Sequence, residues 1–212
     1  MADYLKEWIK REDIALSDLT YDFINDFSVY LHNSRSLRGG TVWLACMMLK
    51  GVVLRAYKRG LLRVNPFAEF HIAKNIRERQ YLTENELQQL ITHHFTDAAA
   101  AYVRDVFVFS ALTGMSFVDI SELRISNIKM INGHYWIIAS RHKTGIPFCV
   151  RLFNQPLDIV RRYRTPDRDI IFDHYSYFTV AKRLKTVLHE CNITKSITFH
   201  CARHSFAIMA LN

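Results

Sequence analysis

Several functional classes are excluded by what this sequence lacks. Its four cysteines, Cys46, Cys149, Cys191 and Cys201, include no Cys-x-x-Cys pair, and no signal peptide precedes them, which points to a reducing, cytoplasmic setting. No uninterrupted apolar run reaches the eighteen or so residues that a membrane span needs, so no membrane partner is expected. His200, Cys201 and His204 stand close together, but the glutamate of a His-Glu-x-x-His motif is missing and no other pair has ligand spacing. No metal site is expected on that basis. Internal repeats and low-complexity segments are also absent.

What is present is a chain of 212 residues, 50% hydrophobic, which is ample for a buried core. The net charge of +8 and a pI near 9.4 favour an acidic polymer as partner. That charge is unevenly spread. Residues 1–34 carry three basic and seven acidic side chains, residues 35–80 ten and two, and residues 81–212 fifteen and eleven. Within the basic middle, Lys50, Arg55, Lys58, Arg59 and Arg63 punctuate an apolar run from Thr41 to Val64. Arg55, Lys58 and Arg59 fall at i, i+3 and i+4, so one helix face gathers three cations that suit DNA phosphates. Trp43, Leu44, Met47, Met48, Val52 and Leu54 are expected to supply the apolar side.

Periodicity and punctuation give a mainly helical chain with one small sheet. A short helix is expected over Tyr4–Arg11, and Thr20 is placed to cap a helix over 21–32. The long basic helix follows Gly39-Gly40 and ends at Asn65-Pro66, and the polar stretch 74–80 reads as a linker. Thr83-Glu84-Asn85-Glu86 fits a capping box and opens a second domain. Helices are expected over 98–112 and 117–124. Asn132-Gly133 joins strands 128–131 and 135–139, and a third strand ends near Leu152. Helices over 155–164, 177–191 and 198–211 complete the chain.

Three segments carry chemistry. Phe199-His200-Cys201-Ala202-Arg203-His204-Ser205 places His200, Arg203 and His204 at i, i+3 and i+4, a patch of donors suited to a phosphate. Thr113-Gly114-Met115-Ser116-Phe117-Val118-Asp119-Ile120-Ser121-Glu122-Leu123 is the second segment, and Ser140-Arg141-His142-Lys143-Thr144-Gly145 the third. In this order and with these separations they resemble the signature boxes of the tyrosine recombinases, the phage-integrase family of site-specific DNA recombinases. The wording Ser-Phe-Val-Asp is similar to recombinases of Bacteroides-type mobile elements.

The resemblance implies a core-binding, SAM-like helical domain over residues 1 to about 75, and from about 80 to 212 a catalytic domain that is α-helical with a small antiparallel sheet. It implies a tyrosine oxygen attacking a DNA phosphodiester, a 3′-phosphotyrosine, no cofactor and no small-molecule substrate. Double-stranded DNA is the implied partner, held by a tetramer of subunits in the intact family. Guanidinium groups, which donate two parallel hydrogen bonds to phosphate oxygens, suit that charge, and Arg203 is the first candidate. Lys143 and His200 carry the proton-transfer roles by resemblance. The family's first arginine is replaced here by Ser116, so another cation is needed. If strand alternation carries through the hairpin, Arg141 points the same way as Lys143 and is the candidate substitute; Arg124, two helical turns beyond Ser116, is the weaker one. Asp119 is expected to hold neighbouring basic groups, with a plain helix-surface aspartate as the other reading. Lys50, Arg55, Lys58, Arg59 and His204 are the candidate DNA contacts.

Nine residues follow Arg203, and all ten tyrosines precede it, the last being Tyr177. The family's nucleophilic tyrosine belongs after that arginine, so the expectation is a catalytic domain truncated before it. Two readings follow: a fragment of a site-specific recombinase, or a catalytically silent DNA-binding module. A helical transcription regulator would explain the charge but not the ordered boxes.

Overall fold

A computed structural model describes residues 1–72, 80–173 and 175–211. It divides into two compact units, Met1–Glu78 and Arg79–Asn212. All but Gln80 of the expected linker lies outside the described residues.

The first unit is helical: α1 (Ala2–Ile9), α2 (Tyr21–Asn33) and α3 (Gly39–Lys58). Thr20 caps α2 by accepting from the Phe23 amide at 3.2 Å, which satisfies one of the donors a helix start leaves unpaired. Trp8 of α1 packs edge-on against Phe23 at 4.7 Å and also meets Phe27, so α1 closes one side of a core built from Ile24, Phe27 and Leu31. Val42, Ala45, Cys46, Leu49 and Val53 of α3 complete it. Burial pushes the Cys46 thiol up to about 11, which leaves it a small hydrophobe with no thiolate at neutral pH.

Two expectations about α3 are corrected. The helix stops at Lys58, because the chain turns at Gly60 (φ 74) six residues before Pro66. The apolar side is also a different one: Leu44, Met48 and Val52 are exposed at 54%, 51% and 43%, and the stripe 42-45-46-49-53-56 faces the core. At 100° per residue the exposed side gathers Leu44, Met48, Gly51, Val52, Arg55, Lys58 and Arg59. Lys50 falls elsewhere, half-buried with its ammonium 5.9 Å from the Phe67 ring centroid. Being apolar on two faces makes α3 long and hydrophobic enough, by composition alone, to cross a membrane. Its buried face is part of this core.

The second unit winds α4 (Glu84–Thr92), α7 (Asn154–Tyr163), α8 (Tyr177–Glu190) and α9 (Cys201–Leu211) around α5 (Ala98–Thr113). Helix α5 is buried almost all round, as a central helix must be. Thr83 and Glu86 form the capping box, Thr83 Oγ1 accepting from the Glu86 amide and Glu86 Oε2 from the Thr83 amide. Strands β1 (Ile128–Ile131), β2 (His134–Ser140) and β3 (Pro147–Leu152) form an antiparallel sheet in that order. Asn132 and Gly133 both have positive φ, the geometry of a two-residue turn whose twist matches the strands. Ile128, Tyr135, Ile137, Ala139, Phe148, Val150 and Leu152 face the core, and the alternate residues face outward.

Within α5, Arg104 and Asp105 are buried charges with complete partners. Arg104 Nη1 donates to the carbonyls of Leu90, Ile91 and His93 at 2.9–3.1 Å, supplying donors to the otherwise unpaired end of α4. Asp105 accepts from Arg104 Nε at 2.5 Å, from Arg162 Nη1 at 2.5 Å and from the Tyr163 hydroxyl at 2.8 Å. Burial and the Asp105 carboxylate push the Tyr163 phenol above its ordinary range, so it remains a donor.

Candidate functional site

The site begins where α5 ends. Gly114 takes the left-handed conformation (φ 66), and Met115 is buried behind it, with its carbonyl accepting from Ser110 Oγ at 2.7 Å. Ser116 then caps the five-residue α6 (Phe117–Ser121), accepting from the Asp119 amide at 3.3 Å and donating its hydroxyl to Asp119 Oδ2 at 2.7 Å. Ser-x-x-Asp is thus a capping pair, readable in the sequence by the same spacing as Thr83–Glu86.

Asp119, with its side chain 4% exposed, is the hub and not a surface aspartate. It also accepts from Arg141 Nη1 at 2.8 Å and from the His142 amide at 3.0 Å. Arg141 lies with its guanidinium carbon 4.6 Å from the Phe148 ring centroid, which fixes the fork from a second side. Burial raises the Asp119 carboxyl, but the His142 amide, the Ser116 hydroxyl and Arg141 together outweigh it and hold the group below the usual carboxylate range. A depressed carboxylate stabilises the fold fully above its unfolded value of about 3.9 and loses that contribution as pH falls through its folded value. The stability gap between the wild-type protein and Asp119→Asn is therefore expected to be constant near neutrality and to shrink below about pH 4. Chemical denaturation at a series of pH values checks this; a gap unchanged down to pH 2 would refute it.

Helix α9 brings the other arginine. Ala202 and Ser205 are fully buried; Ser205 Oγ accepts from the Leu82 amide at 2.9 Å and donates to the Cys201 carbonyl, which seats the helix. Phe206 lies against Gly114, where an added Cβ would come within 2.7 Å of its ring. Arg203 is half-buried on the same helix. Burial lowers its pKa, the like charge of Arg141 lowers it further, and Asp119 acts in the opposite direction, so these three groups share one electrostatic neighbourhood. His200 stands in the turn just before α9, a correction to the expected helix start at residue 198. The Arg203 amide bonds to the His200 carbonyl at 3.2 Å, and the His200 and His204 rings meet edge-to-face at 4.8 Å.

Strand alternation does not carry Lys143 to the side of Arg141. Strand β2 ends at Ser140; the Arg141 amide bonds to the Ile146 carbonyl and the Gly145 amide to the Arg141 carbonyl, so residues 142–144 form the turn and Lys143 is exposed at its tip. Arg124 is corrected too. Helix α6 stops at Ser121 because the chain leaves it to pair with the 169–171 segment, Ile125 N to Asp169 O at 2.8 Å and Ile171 N to Leu123 O at 3.0 Å. Arg124 there bonds the exposed Asp169 at 3.3 Å. Ser116, Asp119, Arg141 and Arg203 are what the fold draws together. One guanidinium held by a buried carboxylate and a second in the same electrostatic neighbourhood retain a net positive charge, which suits a phosphodiester.

Comparisons with known proteins agree with this architecture. The family model of the phage integrase SAM-like domain matches residues 1–73, and that of the phage integrase family matches residues 80–212. A search of curated proteins gives no match. Among solved structures, the Tn1549 transposon integrase in complex with circular intermediate DNA has a TM-score of 0.74 at 14% identity over 98% of this chain and 79% of that one. The lambda integrase dimer bound to a COC′ core site has 0.69 at 18%, over 92% and 75%. The XerH site-specific recombinase in its post-cleavage complex has 0.69 at 16%, over 98% and 65%. At these identities the likeness is one of fold.

Proposed function

The chain belongs to the phage integrase family, and from that premise we propose that it acts on duplex DNA at a recombination site, seating one phosphodiester between Arg203 and Arg141. The observation that carries this reading is the shared position of the two guanidinium groups, Arg141 held by Asp119 and electrostatically coupled to Arg203. Arg141 takes the place of the arginine that Ser116 does not supply, and Ser116 serves by orienting Asp119. His200 and Lys143 border the phosphate as proton carriers, with Lys143 reaching it from the exposed tip of a turn. Assembly into a tetramer on DNA and a cytoplasmic location belong to this proposal.

A salt titration of duplex binding tests it. Arg203→Ala and Arg141→Ala are each expected to weaken binding about tenfold and to reduce the salt slope by about one. Arg124→Ala, beside Asp169, should change neither by more than about twofold. Equal losses in all three variants would remove the site. The alternative is a DNA-binding module without catalysis. A nicked substrate that traps phosphotyrosine separates the two: an adduct establishes the enzyme, and a mobility shift without one supports the module.

The exposed side of α3 is the proposed groove contact in the first unit. Gly51 lies in its centre with no atom within 4 Å of where a Cβ would stand, so packing within the unit does not require a glycine there. A mid-helix glycine costs about 0.5–1 kcal/mol relative to alanine. Gly51→Ala is therefore expected to raise the melting stability by about that amount while weakening duplex binding, because the added methyl stands between helix and DNA. Gain in both properties would place the DNA elsewhere.

A further inference from the structure

We propose that the outward face of the sheet is a second nucleic-acid surface, distinct from the arginine site, which stacks a base of an unpaired DNA strand on Trp136 between two cations. The register places Lys129, Trp136 and Arg151 directly opposite one another in a single cross-strand row. With strands about 4.8 Å apart, one cation lies on each side of the indole. None of the three belongs to the core that the inner face helps to build. Trp136 is half-buried, Lys129 is exposed, and the neighbouring Ile138 is 43% exposed.

Arg151 is pre-positioned. Its guanidinium carbon stands 5.0 Å from the Phe153 ring centroid, and Nη2 lies 3.1–3.2 Å from the ring nitrogens of His134. Holding a long side chain in place in advance lowers the entropy lost when it meets a phosphate. Beside it opens a hollow of about 620 Å³ lined in part by His134, Arg151 and Phe153, with room for the next nucleotide.

Charge selects the occupant. From Leu123 to Leu157 the sequence contains no aspartate or glutamate, while Arg124, Lys129, Arg141, Lys143 and Arg151 fall within those 35 residues. A surface for another protein's apolar face does not need such an acid-free stretch; a polyanion does. A paired duplex hides its base faces, whereas an aromatic ring on an open sheet flanked by cations matches the way single strands are held, by stacking and backbone charge together. Strand exchange between duplexes produces unpaired segments of this kind.

The test uses the whole chain and a fluorescein-labelled dT12 single strand, followed by anisotropy and by indole quenching. Trp136→Ala is expected to weaken dT12 binding about tenfold, Trp136→Phe to retain most of it, and Lys129→Gln with Arg151→Gln to lower the salt slope. Duplex binding should stay within about twofold in all three, and Arg203→Ala should spare dT12, so the two surfaces fail or succeed separately. Circular dichroism melts confirm that an outward residue was removed without unfolding. Unchanged dT12 binding by Trp136→Ala would overturn the proposal. So would an equal loss on duplex, or a concentration-dependent self-association of the wild type that Trp136→Ala abolishes.

Discussion

Replacing Asp105 with alanine is expected to lower the stability of the unit Arg79–Asn212 by about 3–5 kcal/mol, the range seen when one partner of a buried ion network is removed. The carboxylate is 4% exposed and is shared by Arg104, Arg162 and the Tyr163 hydroxyl. Without it the Arg104 guanidinium, itself 11% exposed, is left with its charge unmatched in the middle of α5. The loss propagates, because the same guanidinium holds the carbonyls that end α4. Asp169→Ala gives the contrast. Its pair with Arg124 is about half exposed on both sides, where solvent screens the attraction, so the loss is expected to be much the smaller. Urea denaturation of both variants checks the difference; equal midpoint shifts would mean that burial of the network is not what gives it its weight.

The same contrast shows what the sequence could and could not disclose. Thr83–Glu86 and Asn132-Gly133 were legible because their partners lie within three residues and the local geometry admits few alternatives. Arg104 and Asp105 lay inside a segment read simply as apolar and buried, since two of the three residues that satisfy Asp105 are 57 and 58 positions away. On α3 the periodicity pointed to the wrong side for a physical reason: the exposed stripe of Leu44, Met48 and Val52 is as apolar as the true core stripe, so hydrophobicity alone cannot choose between them.

In the site, Arg203 and Arg141 were singled out from the resemblance and from strand alternation. Alternation failed at Lys143, which lies in the turn, and Arg141 owes its position to Asp119, 22 residues earlier. The clue to that anchor was the Ser-x-x-Asp spacing, a capping pattern whose carboxylate has acceptor capacity left for an arginine.

Gly114→Ala is expected to destabilise the unit by about 2–4 kcal/mol and to disturb the site in the same step. Two costs combine. A non-glycine residue at φ 66 costs roughly 1–2 kcal/mol, and the new Cβ would stand 2.7 and 2.9 Å from two ring carbons of Phe206, closer than side chains tolerate. The ring must turn or shift on α9, the helix that also carries Arg203 and His204, while Gly114 itself leads into Ser116. The residue that ends α5 thus sets the distance between the two halves of the arginine site. A double-mutant cycle with Phe206→Ala separates the terms, since removing the ring relieves the contact but leaves the backbone strain. The double variant is expected to lose less stability than the sum of the singles. Strict additivity would show that the glycine is needed for its backbone conformation alone and that the packing of α9 on it has no part in positioning Arg203.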